Sequence, residues 1–223
     1  ELHSGKLPHT VAEEVLGVDH SMAVLSGPTF AKEVAEGLPT AMTIAANDET
    51  FAADLAQAFS SDNFRAYTSD DMIGVEVGGA VKNVLAIAAG MSDGLGFGAN
   101  TRIALITRGL VELMRLGTAI GAKKETFMGL ACMGDLVLTC TDNLSRNRRM
   151  GLALASGMTV EEAKEEIQQV VEGVMAAEAV KEVAEELGIE MPICQQVYQI
   201  LYEGTSPREA VQTLMGRALT SEH

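Results

Sequence analysis

The 223-residue chain carries 31 acidic residues against 16 basic ones, which gives a formal net charge of −15. Such a charge repels phosphate backbones and anionic membrane surfaces and argues against a nucleic-acid-binding protein. Hydrophobic residues make up 47% of the chain and charged residues 21%, a composition typical of globular proteins and too apolar for a disordered one.

Three features of the sequence concern the cellular location and the completeness of the chain. The cysteines are odd in number and lack metal-ligand spacing, which favours reduced thiols in a cytoplasmic protein; they are Cys132, Cys140 and Cys194. We recognise no apolar run of the roughly 18 residues that a membrane span needs, so no span is expected. The opening ELHSGKL has no initiator Met, and we interpret the chain as the C-terminal part of a longer protein.

The first part of the chain alternates strand-forming and helix-forming segments. SMAVLSG (21–27), TAMTIAA (40–46) and FRAYT (64–68) are typical of strands, and AKEVAEG (31–37) and ETFAADLAQAF (49–59) of helices. This order predicts a βαβαβ-like remainder of an α/β domain. In SGPTFAKE (26–33) a strand runs into a turn at Gly27 and Thr29, which either exposes backbone N–H groups to a ligand or is a plain turn.

After Ser69 the strand signal nearly vanishes, and segments of helical period follow one another. We therefore predict two domains, an α/β part at 1–69 and an all-α part at 70–223. Ser69 or Asp70 is expected to cap the first helix of the second part.

The stretch GGAVKN (78–83) places a lysine and an asparagine beside the apolar stripe of a helix. Helical side chains lean toward the preceding turn, so Lys82 lies over Gly78 and Asn83 over Gly79. The two glycines either leave room for a ligand beside a proton-transferring lysine, or permit close helix packing while the lysine reaches solvent.

A basic island, SRNRR (145–149), stands out in this acidic chain. A Ser or Asn cap there would place free N–H groups and the helix dipole beside Arg146, an arrangement that binds phosphate. Alternatively, the arginines pair with surface carboxylates. Upstream, Asp135 could hold a lysine ammonium, accept a hydrogen bond from a substrate hydroxyl or simply cap a helix. VVEG (170–173) is predicted to be strand-like or a loop.

Together SGPTFAKE, GGAVKNVLAIAAGMSDGLGFGANT, GDLVLTCTDNLSRNRR and VVEG resemble the bacterial NAD(P)-dependent sn-glycerol-3-phosphate dehydrogenases. The likeness runs through nearly the whole chain, and the motifs occur in the family's order. It implies a Rossmann-type domain, of which residues up to about 69 are the remainder, followed by a helical substrate domain like that of 6-phosphogluconate dehydrogenase. The family's GxGxxG loop and TKG lysine are not in this sequence.

The resemblance also implies an enzyme that reduces dihydroxyacetone phosphate to sn-glycerol 3-phosphate with NADP or NAD cofactors, supplying phospholipid backbones, commonly as a homodimer. Lys82 would be the catalytic lysine. The other residues implied to contact substrate are Gly27, Thr29, Asp135, Ser145, Arg146 and Asn147, with Asn83 and Thr139 as further candidates. Those implied to contact the dinucleotide are Ala31, Arg146, Val170 and Glu172.

Two alternatives remain at this point. The chain by itself could be an inactive helical module for dimerisation or ligand binding, because the phosphate loop is missing. A related dehydrogenase of small hydroxy acids is also possible, although the basic island argues against it. No metal is expected, since the four histidines lie at the ends or in the first segment; they are His3, His9, His20 and His223.

Overall fold

The computed structural model describes residues 1–218, so the last five residues of the predicted second domain, including His223, lie outside the described part. The α/β part contains a small sheet with three helices around it. Its elements are α1 (Pro8–Leu16), β1 (Ala23–Ser26), α2 (Ala31–Ala35), β2 (Thr40–Ala46), α3 (Glu49–Phe59) and β3 (Phe64–Ser69).

The three strands form one sheet in the order β1-β2-β3. β2 and β3 are parallel, with α3 as the crossover between them, as the sequence predicts. β1, however, is antiparallel to β2, with Ala23 opposite Ala46. The predicted order of strands and helices is confirmed, but β1 and β2 do not form a parallel unit, because the connection holds only the five-residue α2 and turns the chain back beside β1.

The remainder of the described chain is helical, as predicted. Its elements are α4 (Met72–Gly94), α5 (Ala99–Ala119), a 3-10 helix (Lys124–Met128), a π-helical segment (Leu130–Gly134), α6 (Asp135–Thr141), α7 (Arg146–Ala155), α8 (Val160–Ile167), α9 (Glu172–Glu186), α10 (Pro192–Tyr202) and α11 (Pro207–Met215). The change from sheet to helices falls at the predicted position, while the division into two domains stays a prediction.

The cap of α4 differs from the predicted one. Asp71, rather than Ser69 or Asp70, accepts a hydrogen bond from the Gly74 N–H at 2.9 Å. Only a side chain immediately before the first helical residue, Met72, can reach the free N–H groups of the first turn. Asp71 also accepts from the Lys123 N–H at 2.9 Å, so it ties α4 to the 3-10 helix.

α4 is the central helix of the molecule. It packs against α5, α6, α7, α9 and α10, and 16 of its 23 residues are buried. By length and composition alone it could cross a membrane, contrary to the sequence expectation, but 72% of the relevant stretch is buried inside the protein. Burial by other helices is what a core helix shows, and it accounts for the apolar composition.

The three cysteines are free and buried among these helices, as predicted for reduced thiols. Burial raises the pKa of the Cys132 thiol to about 12, and it raises the pKa of the Cys140 thiol to about 12 as well. At neutral pH both are therefore protonated and act as small apolar side chains.

Candidate active site

A polar cavity of about 630 Å³ lies between the loop after β1 and the helices α4, α6, α7 and α9. It brings together the predicted site residues with the exception of Val170. Its lining consists of Gly27, Thr29, Phe30, Ala31, Lys32, Gly79, Lys82, Asn83, Asp135, Thr139, Leu144, Ser145, Arg146, Asn147, Gln169 and Glu172. Sequence reasoning missed four of these, Phe30, Lys32, Leu144 and Gln169, which are neighbours in sequence of predicted residues.

Lys82 and Asp135 form an ion pair at the inner wall of the cavity. Lys82 Nζ donates to Asp135 Oδ2, and the two side chains are 18% and 5% exposed. The Thr139 hydroxyl donates to the Asp135 backbone oxygen at 2.6 Å and lies 3.2 Å from the carboxylate Oδ1. Burial raises the pKa of Asp135, and the Lys82 ammonium opposes that shift. The arrangement holds the Lys82 ammonium group in the wall of the cavity.

Gly78 and Gly79 have different surroundings. A Cβ on Gly79 would find only Ser26 Oγ, at 3.8 Å, so this residue leaves open space in the cavity wall. A Cβ on Gly78 would overlap Cys132 Sγ and approach the Ala131 backbone oxygen to 3.2 Å. Of the two interpretations given above, room for a ligand is therefore wrong for Gly78, where the close-packing alternative applies. Successive helical residues point about 100° apart, which turns Gly78 into the core.

The basic island forms the first turn of α7. Ser145 caps this helix and accepts a hydrogen bond from the Arg148 N–H at 3.2 Å. Arg146 extends across the mouth of the cavity and donates to Glu172 Oε1. Arg148 instead enters the interior, where its guanidinium lies 2.6 Å from Asp93 Oδ2. Of the three arginines, Arg146 alone lines the cavity, and phosphate binding stays a prediction for it. Arg146 and Arg148 both pair with carboxylates, but the partner of Arg148, Asp93, is only 12% exposed and is not the surface carboxylate that the alternative expected.

Asn147 and Asn83 form a partly buried amide link in the wall of the cavity. Asn147 Nδ2 donates to Asn83 Oδ1 at 3.0 Å, and Asn147 Oδ1 accepts from the Gly173 N–H at 2.8 Å. Asn83 Nδ2 in turn donates to the Gly79 backbone oxygen at 3.1 Å. Since Asn147 is only 4% exposed, these contacts mainly join α4, α7 and α9, and contact with substrate stays a prediction for it.

The loop after β1 closes the opposite wall. Thr29 Oγ1 donates to the Gly27 backbone oxygen at 3.1 Å, which holds the turn into α2. Gly27 has φ +154°, and a Cβ there would lie 2.9 Å from Met42 Cα on β2. The loop can therefore pass close to the sheet only with glycine at this position.

The VVEG segment is partly a loop, as predicted, and partly helix. Val170 and Val171 precede α9, and Glu172 and Gly173 begin it. Val171 is buried at 5% exposure, whereas Val170 is 62% exposed and does not line the cavity. The valine pair thus splits between the core and the surface.

Glu172 and Ala31 supply the cavity rim where a dinucleotide is predicted to bind. The Glu172 carboxylate, 42% exposed, offers acceptors of the kind that ribose hydroxyls need.

Among residues 1–218 no group of three or more His, Cys, Asp or Glu side chains could hold a metal ion.

Comparison with known proteins gives two family matches. Residues 71–212 match the model of the NAD-dependent glycerol-3-phosphate dehydrogenase C-terminus, and residues 1–52 match that of the N-terminus. The chain is 58% identical over its full length to the glycerol-3-phosphate dehydrogenase, NAD(P)+, of Citrobacter koseri and 59% identical to that of Shewanella halifaxensis. It spans 66% of the length of both relatives.

A solved structure agrees with these matches. The crystal structure of glycerol-3-phosphate dehydrogenase from Coxiella burnetii superposes with a TM-score of 0.94 at 51% identity, covering 96% of this chain and 66% of that one.

Proposed function

The chain belongs to the NAD-dependent glycerol-3-phosphate dehydrogenase family, and from this premise we propose that its cavity reduces dihydroxyacetone phosphate to sn-glycerol 3-phosphate. One observation carries the proposal. The Lys82–Asp135 pair and the capped first turn of α7 with Arg146 line a single cavity. A small phosphorylated ketone needs both a proton donor and an anion site, and this cavity offers them side by side.

Lys82 is the proton donor in this proposal. When bound, NADH or NADPH supplies the hydride to the carbonyl carbon, and Lys82 Nζ gives a proton to the carbonyl oxygen. Asp135 accepts a hydrogen bond from the ammonium and thereby orients it. In the reverse direction the neutral amine removes the hydroxyl proton. Burial of the pair strengthens these electrostatic interactions relative to water.

Ser145 and Arg146 form the anion clamp, a name used from here on for these two residues. The helix N-terminus contributes N–H groups and its dipole, and the Arg146 guanidinium can form paired hydrogen bonds to phosphate oxygens. Glu172 accepts a hydrogen bond from Arg146, so a phosphate dianion must compete with a carboxylate. Glu172 then becomes free to accept from the cofactor.

The remaining assignments follow from the family. NADP or NAD is the cofactor, and Ala31, Arg146, Val170 and Glu172 are proposed to touch it. Gly27 and Thr29 are proposed to contact the substrate from the opposite wall. We also propose a cytoplasmic homodimer that supplies the glycerol backbone of phospholipids.

The test is in two stages. The chain itself is titrated by calorimetry with sn-glycerol 3-phosphate and with glycerol, and we expect binding of the phosphorylated compound only. A version extended upstream with the corresponding segment of the Citrobacter koseri relative, the extended enzyme, is then assayed for NADH oxidation with dihydroxyacetone phosphate.

Turnover of the ketone phosphate by the extended enzyme supports the proposal. Turnover of an unphosphorylated hydroxy acid instead would favour the related class of dehydrogenase. Absence of turnover by the unextended chain alone would fit the inactive-module alternative for this stretch, without affecting the assignment of the cavity.

A further inference from the structure

Arg148 is a buried arginine that does not line the cavity. Its guanidinium contacts three elements at once. Nε donates to Asn143 Oδ1 at 3.0 Å, Nη1 donates to the Cys140 backbone oxygen at 3.2 Å, and Nη1 lies 2.6 Å from Asp93 Oδ2. With 9% of its side chain exposed, it is held on every side by protein.

Two of these contacts hold the chain between α6 and α7. Cys140 belongs to the last turn of α6, the helix that begins with Asp135. Asn143 lies in the turn that leads to the cap residue Ser145, and that turn is tightened by the Leu144 N–H donating to Asp142 Oδ1 at 2.7 Å. One planar guanidinium therefore fixes the end of the helix that carries Asp135 and the start of the helix that carries the anion clamp.

The third contact ties this junction to the helix of Lys82. Asp93 is on α4, about three turns beyond Lys82. Its Oδ2 accepts from Arg102 Nη1 on α5 at 2.7 Å as well, and its side chain is only 12% exposed. Asp93 is thus a shared counter-ion for two arginines, and it anchors the junction of α6 and α7 to α4.

The axes of α4 and α7 are held together by separate contacts. A Cβ on Gly90 would overlap the Arg148 backbone oxygen, and one on Gly151 would overlap the Ile87 backbone oxygen. This close backbone approach sets the distance between the two helices. These backbone contacts do not include the turn between α6 and α7, which is held by the side chain of Arg148.

We propose that Arg148 and Asp93 are positioning residues that set the spacing between the Lys82–Asp135 pair and the anion clamp. The inference rests on the proposed function, since the spacing has meaning only for a ligand that reaches both. A three-carbon ketone phosphate has a carbonyl for the pair and a phosphate for the clamp, which line the same cavity, whereas inorganic phosphate needs the clamp alone. The spacing therefore contributes to the choice of substrate length, although neither residue touches the substrate.

The test compares two ligands on the 223-residue chain by calorimetry. Arg148→Lys removes the planar fork but keeps the charge, and Asp93→Asn removes the counter-charge but keeps the shape. In both variants we expect about a tenfold or greater loss of affinity for sn-glycerol 3-phosphate, because small misplacements are costly for a ligand held at two points. Affinity for inorganic phosphate should change by less than about threefold.

Arg149→Lys is the matched control, because it alters the next arginine, which does not line the cavity. It should leave the ratio of the two affinities unchanged. Circular dichroism and thermal unfolding establish that each variant is folded, and Asp93→Asn keeps the test decisive if Arg148→Lys does not fold.

The outcomes separate the two proposals. An equal loss for both ligands, or no loss for either, overturns the positioning role and leaves the proposed function intact. Failure of the unaltered chain to bind either ligand contradicts the proposed function, and the positioning role with it.

In the extended enzyme the same two variants should raise KM for dihydroxyacetone phosphate more than they lower kcat. A fall in kcat alone, with KM unchanged, would also overturn the inference.

Discussion

The sheet and the helices contribute differently to the cavity. The α/β part supplies one segment, the loop after β1 with the start of α2, and its lining residues are Gly27, Thr29, Phe30, Ala31 and Lys32. The helical part supplies both ion pairs, Lys82–Asp135 and Arg146–Glu172. The ionisable side chains that are proposed to act on the substrate therefore lie on the helices, and the α/β part provides a wall.

The buried hydrophobic clusters of the α/β part and the helical part also differ. The large buried cluster lies entirely between Val77 and Ala210. The buried cluster beside the sheet has five members, and three of them come from the helical part; they are Met22, Ala45, Met72, Val75 and Ala131. The helices thus have a core of their own, whereas the sheet depends on the start of α4 for part of its packing.

The largest expected effect tests the division of chemistry. In the extended enzyme, Lys82→Ala should lower kcat about 10²–10⁴-fold, the range typical of a lost general acid. Thr29→Ala, on the sheet side of the same cavity, should mainly raise KM, by less than about tenfold. Steady-state kinetics of both variants measure this. An equal fall in kcat for Thr29→Ala would show that the sheet does more than form a wall.

The next prediction compares two faces of α4, the one that packs in the core and the one that lines the cavity. Gly78→Ala should destabilise the chain by about 1–3 kcal/mol, because its methyl group meets Cys132 and Ala131 in a packed interior. Gly79→Ala should raise stability by up to about 1 kcal/mol, since alanine favours helix and the site is open. The same methyl group should weaken binding of sn-glycerol 3-phosphate.

Urea unfolding and calorimetry of the two glycine variants provide the measurements. Equal destabilisation by both substitutions would mean that the two faces do not differ as described.

The smallest effect concerns a buried carboxyl in the helical core. Glu112 on α5 accepts from the Ile193 N–H at 2.7 Å and the Cys194 N–H at 3.1 Å, and so caps α10 from a distance. Burial raises the pKa of Glu112 above its ordinary value of 4.5. Its contribution to stability is therefore full below pH 4.5 and is lost as pH rises through the folded-state pKa.

Glu112→Gln removes this titration. The stability of the unaltered chain relative to the variant should fall between acidic and neutral pH, because burial raises the pKa of the Glu112 carboxyl in the folded chain. Urea unfolding at several pH values between 4 and 7 measures the difference, and Glu178→Gln on α9 is the control. A difference that grows with pH would have the wrong sign and would contradict the raised pKa.

Much of this arrangement could be predicted from the sequence. Lys82, Asp135, Ser145 and Arg146 were recognisable because each is an ionisable or capping residue where apolar periodicity or helix propensity makes it unusual. The helical second part followed from its period. The parallel pair β2–β3 followed from the helix between two apolar strands.

The face of a helix on which a residue lies was harder to predict than its possible chemical role. Arg146 and Arg148 are two positions apart and look alike in sequence, yet one lines the cavity and the other is buried against Asp93. Gly78 and Gly79 differ in the same way. Which neighbour lies on which face depends on how the helices pack, and a run of similar residues does not reveal it.

Hydrogen-bond partners that are distant in sequence could not be predicted either. Asn147 bonds to Asn83 and to Gly173, which are 64 and 26 positions away. Nothing local marks such a pairing, because the amide groups have no charge pattern or periodicity of their own. The antiparallel direction of β1 was missed for a related reason, since a five-residue helix resembles a short crossover in sequence.

The burial of α4 has a consequence for mutational tolerance. An amphipathic surface helix such as α8, with only Ala163 and Ile167 buried, should accept substitutions at most of its positions. α4 presents core contacts on several faces and the cavity on another, so random changes along it will reduce folding, activity or both. Loss-of-function variants that map to this helix can therefore be classified only when protein abundance and specific activity are measured together.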